Sequence, residues 1–254
     1  MNKLAATVLA LTITGSLAAC GSTVTITDQD RRILKVLAAS SLTEAFTALE
    51  KTYEADNPRV DVQLSFDSSA ILVEQLVQGN EADVLATADL KSMAKAKEAG
   101  VTTGYVVPFA TNTLTIVTPK GNPARITGIA DLADATFAVC LPAAPCGDAT
   151  AKLFALANFT AKATTEEENI KGVLTKVTAG EVDAGLVYVS DAKAAGAKVE
   201  IVAAQNSAEV VNVDPIVVVK GSQKARAAED WIELVTSPDG QKVLASYGFG
   251  PAGG

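Results

Sequence analysis

Histidine is absent from all 254 residues. Its absence removes the usual base of Ser-His-Asp and Cys-His schemes, and with it the commonest metal ligand. Cysteine is scarce, at Cys20, Cys140 and Cys146. A zinc or copper site therefore lacks ligands once Cys20 is set apart. Positive charge is in deficit: 21 Lys and Arg against 29 Asp and Glu give a formal net charge of −8. Nucleic acid, which needs a basic footprint, is excluded as a partner. Beyond the first twenty residues no apolar run approaches the roughly 20 residues that span a bilayer. Glycine-rich phosphate loops and dinucleotide fingerprints are missing too. Glu166-Glu167-Glu168 is a charge run ahead of a helix, with no identifiable partner for paired-carboxylate chemistry. The chain reads as a non-enzyme with no cofactor and no direct protein-to-metal ligands.

The first residues have the form of an export signal. Met1-Asn2-Lys3 is a short positive start, Leu4–Ala18 is apolar, and Leu17-Ala18-Ala19-Cys20-Gly21 closes it. That ending resembles the lipobox of bacterial lipoproteins, whose cysteine is acylated and becomes the first mature residue. Residues 1–19 are expected to be a lipoprotein signal peptide, Cys20 the lipidated residue, and residues 20–31 a polar tether. The alternative is an ordinary cleaved signal with an incidental cysteine. The expected location is the outer face of the cytoplasmic membrane or the periplasm, with the lipid as the only membrane contact. Export favours a disulfide between Cys140 and Cys146 across the loop Leu141-Pro142-Ala143-Ala144-Pro145. Free thiols or a metal pair remain open.

What is present in quantity is the alternation of strand and helix patterns. Arg32–Ala38 reads as a strand, Leu42–Asp56 as a helix stopped by Asn57-Pro58, and Val60–Phe66 as a strand with one buried face. Ile71–Gln78 (helix), Asp83–Ala86 (strand) and Leu90–Ala99 (helix) continue the series. After that come strands at Thr113–Thr118, Phe137–Leu141, Ala184–Tyr188, Val199–Val202 and Pro215–Val219. Helices are expected from about Asp148 to Ala157, and at Glu168–Ala179, Ser190–Ala195, Lys224–Ser237 and Gln241–Tyr247. The class is α/β, with parallel sheets flanked by helices. The second α/β unit is inserted before the chain returns to the first, leaving a cleft between two lobes.

Two strand-to-helix junctions carry hydroxyls: Ala38-Ala39-Ser40-Ser41-Leu42-Thr43 and Phe66-Asp67-Ser68-Ser69-Ala70. A helix N-terminus offers unpaired N–H groups and a partial positive charge, so each junction is a ready anion site. Each serine is equally suited to capping its helix, and Ser40, Thr43 and Ser68 are expected to serve only as caps. Tyr188 ends a strand, where its phenol reaches either water or a ligand in the cleft. Asp67 and Asp148 would repel an anion. Asp67 falls in opposite phase to Phe66 and is expected to point outward, and Asp148 to be solvated or capping.

The serine junctions, together with Ala82-Asp83-Val84-Leu85-Ala86-Thr87-Ala88-Asp89, resemble the opening of the molybdate-binding proteins of ABC importers. Pro145-Cys146-Gly147, Asn169-Ile170-Lys171-Gly172-Val173-Leu174, Gly185-Leu186-Val187-Tyr188-Val189-Ser190-Asp191-Ala192 and Gly240-Gln241-Lys242-Val243-Leu244-Ala245-Ser246-Tyr247-Gly248-Phe249 follow in the same order. The likeness covers nearly all of residues 33–250. It implies a two-lobed periplasmic-binding-protein-like fold (type II) with two crossover segments. Lobe one would be residues 32–112 plus 215–254, and lobe two residues 113–214. It also implies capture of molybdate or tungstate for an ABC transporter permease, by a monomer. Ser41 and Ser69 would donate hydroxyl and N–H, Cys146 and Ile170 backbone N–H, and Tyr188 its hydroxyl. Many relatives carry a small residue where Cys146 stands. The alternatives are a sulfate, thiosulfate or phosphate binder, or an enzyme on the same scaffold acting on a small anionic metabolite.

Overall fold

The computed structural model describes residues 32–253. The expected signal peptide, the expected tether and Cys20 lie outside the described residues.

Strand β1 (Arg32–Ala39) pairs in parallel with β2 (Val60–Asp67) and β3 (Val84–Ala86). Helices α1 (Thr43–Asp56), α2 (Ser69–Val77) and α3 (Leu90–Glu98) connect and cover these strands. Leu34 and Val36 of β1 are fully buried, as expected of a parallel strand covered on both faces. The register Ala39↔Asp67 sets the ends of β1 and β2 side by side. Ser40-Ser41 and Ser68-Ser69 therefore emerge together at the carboxyl edge, where open parallel sheets hold ligands.

A second half-sheet repeats the logic. β5 (Phe137–Cys140) pairs in parallel with β6 (Thr165–Glu167) and β7 (Ala184–Tyr188). α4 (Pro145–Leu156), α5 (Ile170–Thr178) and α6 (Val189–Ala195) follow those three strands. Cys140↔Glu167 is the last pair of β5 and β6, so α4 and α5 start at one edge.

Two long antiparallel strands join the halves. β4 (Thr102–Pro119) pairs with β9 (Val211–Val219) along Thr102–Thr113, then with β7 and with β8 (Val199–Val202) from Leu114 onward. β9 returns the chain to β3. α7 (Ala225–Thr236), α8 (Pro238–Ser246) and the short β10 (Gly250–Pro251) then pack on the first half. Each half has its own aromatic nucleus. Trp231 lies 5.6 Å from Phe46 and 5.5 Å from Tyr53 between ring centroids, both edge-on. Phe154 and Phe159 meet at 4.7 Å beside Phe137.

Several elements differ from the sequence reading. The strand expected at Thr113–Thr118 is the last third of an 18-residue strand. The return strand begins at Val211 rather than Pro215. α4 starts at Pro145, three residues before Asp148, because proline at the first helical position gives up only an N–H that had no partner. Glu168 is not helical: Thr165–Glu167 forms β6 and α5 begins at Ile170.

Candidate anion site

At the carboxyl edges the two halves enclose a cavity of about 10 Å³, lined by Ala39, Ser40, Ser41, Asp67, Ser68, Ser69, Ala88, Pro145, Cys146, Asn169, Ile170 and Tyr188. All five residues singled out from sequence (Ser41, Ser69, Cys146, Ile170 and Tyr188) are on that wall, each at most 4 % exposed. No lysine or arginine lines it. The room is about that of one water-sized sphere.

Neither Ser41 nor Ser69 caps its helix. Ser41 sits inside the 3-10 turn Ser40–Leu42, and its Oγ is buried with no partner among the described residues. Ser69 is the first residue of α2, and its Oγ accepts the Ala88 N–H at 2.9 Å. With that bond filled, the Ser69 proton has only the cavity to serve. Ser68, expected to cap, is in N-cap position but makes no capping bond, and its Oγ is equally unpartnered among the described residues. The Thr43 hydroxyl donates to the Ser40 carbonyl at 2.7 Å. Isolated buried hydroxyls are costly unless something satisfies them.

The second half contributes N–H groups. Pro145 has none to offer, so the Cys146 N–H is the first free donor of α4. Asn169 Oδ1 accepts from Lys171 N and Gly172 N at 3.1 and 3.2 Å. These caps spare the Ile170 N–H at the very start of α5. Cys140 and Cys146 are joined in a disulfide that ties β5 to the first turn of α4. Gly147 is required there, since a Cβ would stand 2.0 Å from the Leu141 carbonyl oxygen.

Tyr188 is 1 % exposed rather than reaching water. Burial, followed by the charges of Asp214, Asp89, Asp191 and Asp148, holds its phenol well above its ordinary value. It therefore stays protonated and able to donate. Two aspartates depart from the sequence reading. Asp67 is half-buried on the cavity wall, not turned outward. Alternation ends with β2, and at the turn its Oδ1 accepts from Ser68 N (2.7 Å) and Asn169 Nδ2 (3.1 Å). Asp148 is ion-paired with Lys91 of α3 at 2.5 Å and Lys152 at 2.7 Å, and both hold its carboxyl below the usual range. Asn112 and Asn212 carried no sequence signal, yet both are buried on the crossover strands beside the site.

Residues 34–250 match the bacterial extracellular solute-binding protein family. The chain belongs to that family. Among solute-binding proteins it is 38% identical over 244 residues to the molybdate-binding protein ModA of Mycobacterium tuberculosis (strain H37Rv), covering 93% of this chain and 94% of that one. In fold it matches the periplasmic molybdate-binding protein of Azotobacter vinelandii, with a TM-score of 0.76 at 20% identity over 85% of this chain and 98% of that one. It matches the sulfate-binding protein SubI of Mycobacterium tuberculosis H37Rv equally well, with a TM-score of 0.75 at 19% identity over 87% of each chain. The shared fold does not choose between the anions. Larger grooves on this solute-binding protein lie elsewhere. One of about 350 Å³ runs between Lys35, Asp83 and Lys224 at the opposite edge of the first half-sheet, where the charges already pair with one another. Among the described residues no helix is long and apolar enough to cross a membrane, and no cluster of three potential ligands could hold a metal ion.

Proposed function

We propose that the chain captures molybdate, and tungstate, outside the cytoplasmic membrane and delivers it to the permease of an ABC importer. One observation carries the reading. Buried hydroxyls without partners among the described residues, or with their acceptor side already engaged, meet spare helix N–H groups around a wall without cations. Such a wall satisfies a fully ionised tetrahedral dianion. Hydrogen phosphate brings a proton that these hydroxyl and N–H donors leave unpaired, at a cost of about 1–3 kcal/mol. The name of the mycobacterial relative supports molybdate among the dianions.

In this reading Ser41 and Ser69 donate hydroxyl and N–H, Cys146 and Ile170 donate N–H, and Tyr188 donates its hydroxyl. Lobe one is residues 32–112 with 215–254, lobe two is residues 113–214, and the anion favours their closure because both contact it. The protein works as a monomer held by a lipid on Cys20, and it catalyses nothing. One feature favours a second reading: Asp67 brings a carboxylate to the wall, and a carboxylate can accept the proton of hydrogen phosphate. Two donors engage its Oδ1, and the name of the mycobacterial relative puts the dianion ahead.

Calorimetry and thermal shift with molybdate, tungstate, sulfate and hydrogen phosphate test this directly. Molybdate and tungstate are expected to bind tightly and raise the unfolding temperature. Sulfate should bind more weakly, since shorter bonds leave it out of reach of some donors. Sulfate or phosphate binding as tight as molybdate overturns the assignment, as does the absence of any shift with molybdate.

A further inference from the structure

Asn212, on the crossover strand β9, is 9 % exposed and touches none of the cavity. Its Nδ2 lies 2.8 Å from the Ala88 carbonyl oxygen and 2.9 Å from the Tyr188 hydroxyl oxygen. A carbonyl oxygen can only accept, so the Asn212 atom facing it must be the nitrogen. That fixes the amide without reference to hydrogens, and the same nitrogen necessarily donates to Tyr188. The phenol is thereby an acceptor toward Asn212, and its single proton must leave in another direction. Resting on the oxyanion reading above, we infer that Asn212 is a positioning and specificity residue: it forces Tyr188 to act as a donor toward the bound anion, and so rejects anions that carry a proton.

The same residue couples the two halves. Ala88 gives its N–H to the Ser69 hydroxyl and receives Asn212 at its carbonyl. A chain of bonds therefore runs from Ser69 through Ala88 and Asn212 to Tyr188, and at both ends the hydroxyl is left with a proton to donate. Without Asn212 the Tyr188 hydroxyl is free to turn. It can then present a lone pair to a protonated oxyanion as readily as a proton to a bare one.

The test is calorimetry on the exported chain with sodium molybdate and with sodium phosphate at neutral pH. It compares the unaltered protein, Tyr188→Phe, Asn212→Ala and the double variant. Tyr188→Phe is expected to weaken molybdate binding by about 10- to 100-fold, the loss of one hydrogen bond to a charged group. Asn212→Ala leaves the phenol able to donate, so molybdate should lose only a few-fold while phosphate gains. The double variant should lose no more molybdate affinity than Tyr188→Phe alone and show no phosphate gain. Losses that multiply overturn the inference and leave Asn212 a merely structural residue. Asn212→Asp reverses the bond, since a carboxylate takes the tyrosine proton. The ratio of molybdate to phosphate affinity should then fall at least about tenfold, and an unchanged ratio overturns the inference. If the Asn212 variants do not fold, the Raman tyrosine doublet of the unaltered protein, differenced against Tyr188→Phe, reads the phenol itself. Donation to bound molybdate is expected, and a phenol that only accepts overturns the claim. Absence of molybdate binding by the unaltered chain overturns the oxyanion reading and this inference with it, whereas normal binding with independent losses overturns this inference alone.

Discussion

The two cavity serines look alike in sequence and behave differently as single residues. Ser41 Oγ has no partner among the described residues, whereas Ser69 Oγ accepts a backbone N–H. Ser41→Ala removes an unsatisfied buried hydroxyl, so the ligand-free protein should unfold at an unchanged or slightly higher temperature. Ser69→Ala strands the Ala88 N–H and should cost about 1–3 kcal/mol of ligand-free stability. Both should weaken molybdate binding by about tenfold or more, measured by calorimetry beside denaturant unfolding. Equal unfolding curves for the two variants would contradict the geometry. The hydroxyls were legible in sequence because strand ends followed by serine pairs are rare enough to notice. Their freedom from capping was not, since Ser-Ser before a helix reads the same whether the oxygen turns to its own backbone or into the cleft. Asn212 was invisible for a related reason: its role depends on Ala88 and Tyr188, 124 and 24 residues away.

Among the elements, strands buried on both faces and helices with clear stops were readable, and the crossover β4 was not. Its first two-thirds carry Gly104 at positive φ, Pro108 and a 93 % exposed Tyr105. Breaks in register at Thr103/Val107 and Pro108/Ala110 interrupt the alternation on which a strand reading depends. The start of α4 is masked in sequence because Cys140 and Cys146 bracket a Pro-rich stretch that reads as a loop, although Pro145 is a helix-start signal. That helix turn holds the Cys146 N–H in place by two means, the disulfide and the absence of a side chain at Gly147. Gly147→Ala must push the turn off the Leu141 carbonyl and carry the Cys146 N–H with it. Molybdate affinity should fall about tenfold or more and the unfolding temperature should drop. Replacing both cysteines with alanine should leave binding in place and weaken it only modestly, because only the amide reaches the ligand and the loop closed by the disulfide is short. Affinity that survives Gly147→Ala unchanged would remove α4 from the site.

For the molecule as a whole, a dianion must approach a chain of net charge −8 and then hold two halves together. Two ion pairs and one hydrogen bond to a carboxylate join the halves: Lys171 to Glu44 at 2.7 Å, Lys91 to Asp148 at 2.5 Å, and Asn169 to Asp67 at 3.1 Å. Lys171 also lies 2.8 Å from the fully buried Asp191. Burial pushes Asp191 from 3.8 up to about 6, against the pull of Lys171. A raised folded-state value means that the contribution of Asp191 is complete below about pH 4 and is lost as pH rises through about 6. Ligand-free thermal unfolding should therefore fall across that window, and Asp191→Asn should flatten the fall.

Lys171 and Asp191 lie in one half and Glu44 in the other, so on the closure proposed above Glu44→Gln isolates the clasp. The pair is partly exposed, at 26 % and 38 % of the side chains, and is worth about 1 kcal/mol or less. Glu44→Gln should thus speed molybdate release a few-fold and leave ligand-free stability nearly unchanged. Salt acts on the two steps in the same direction for opposite reasons. It screens the global repulsion and so raises the association rate, and it screens the clasp and so raises the dissociation rate. Stopped-flow rates between low and high salt should rise in both directions for the unaltered protein. In Glu44→Gln the association rate should respond as before and the dissociation rate should respond less. A dissociation rate equally sensitive to salt in both proteins would show that the Lys171–Glu44 pair does not hold the halves closed.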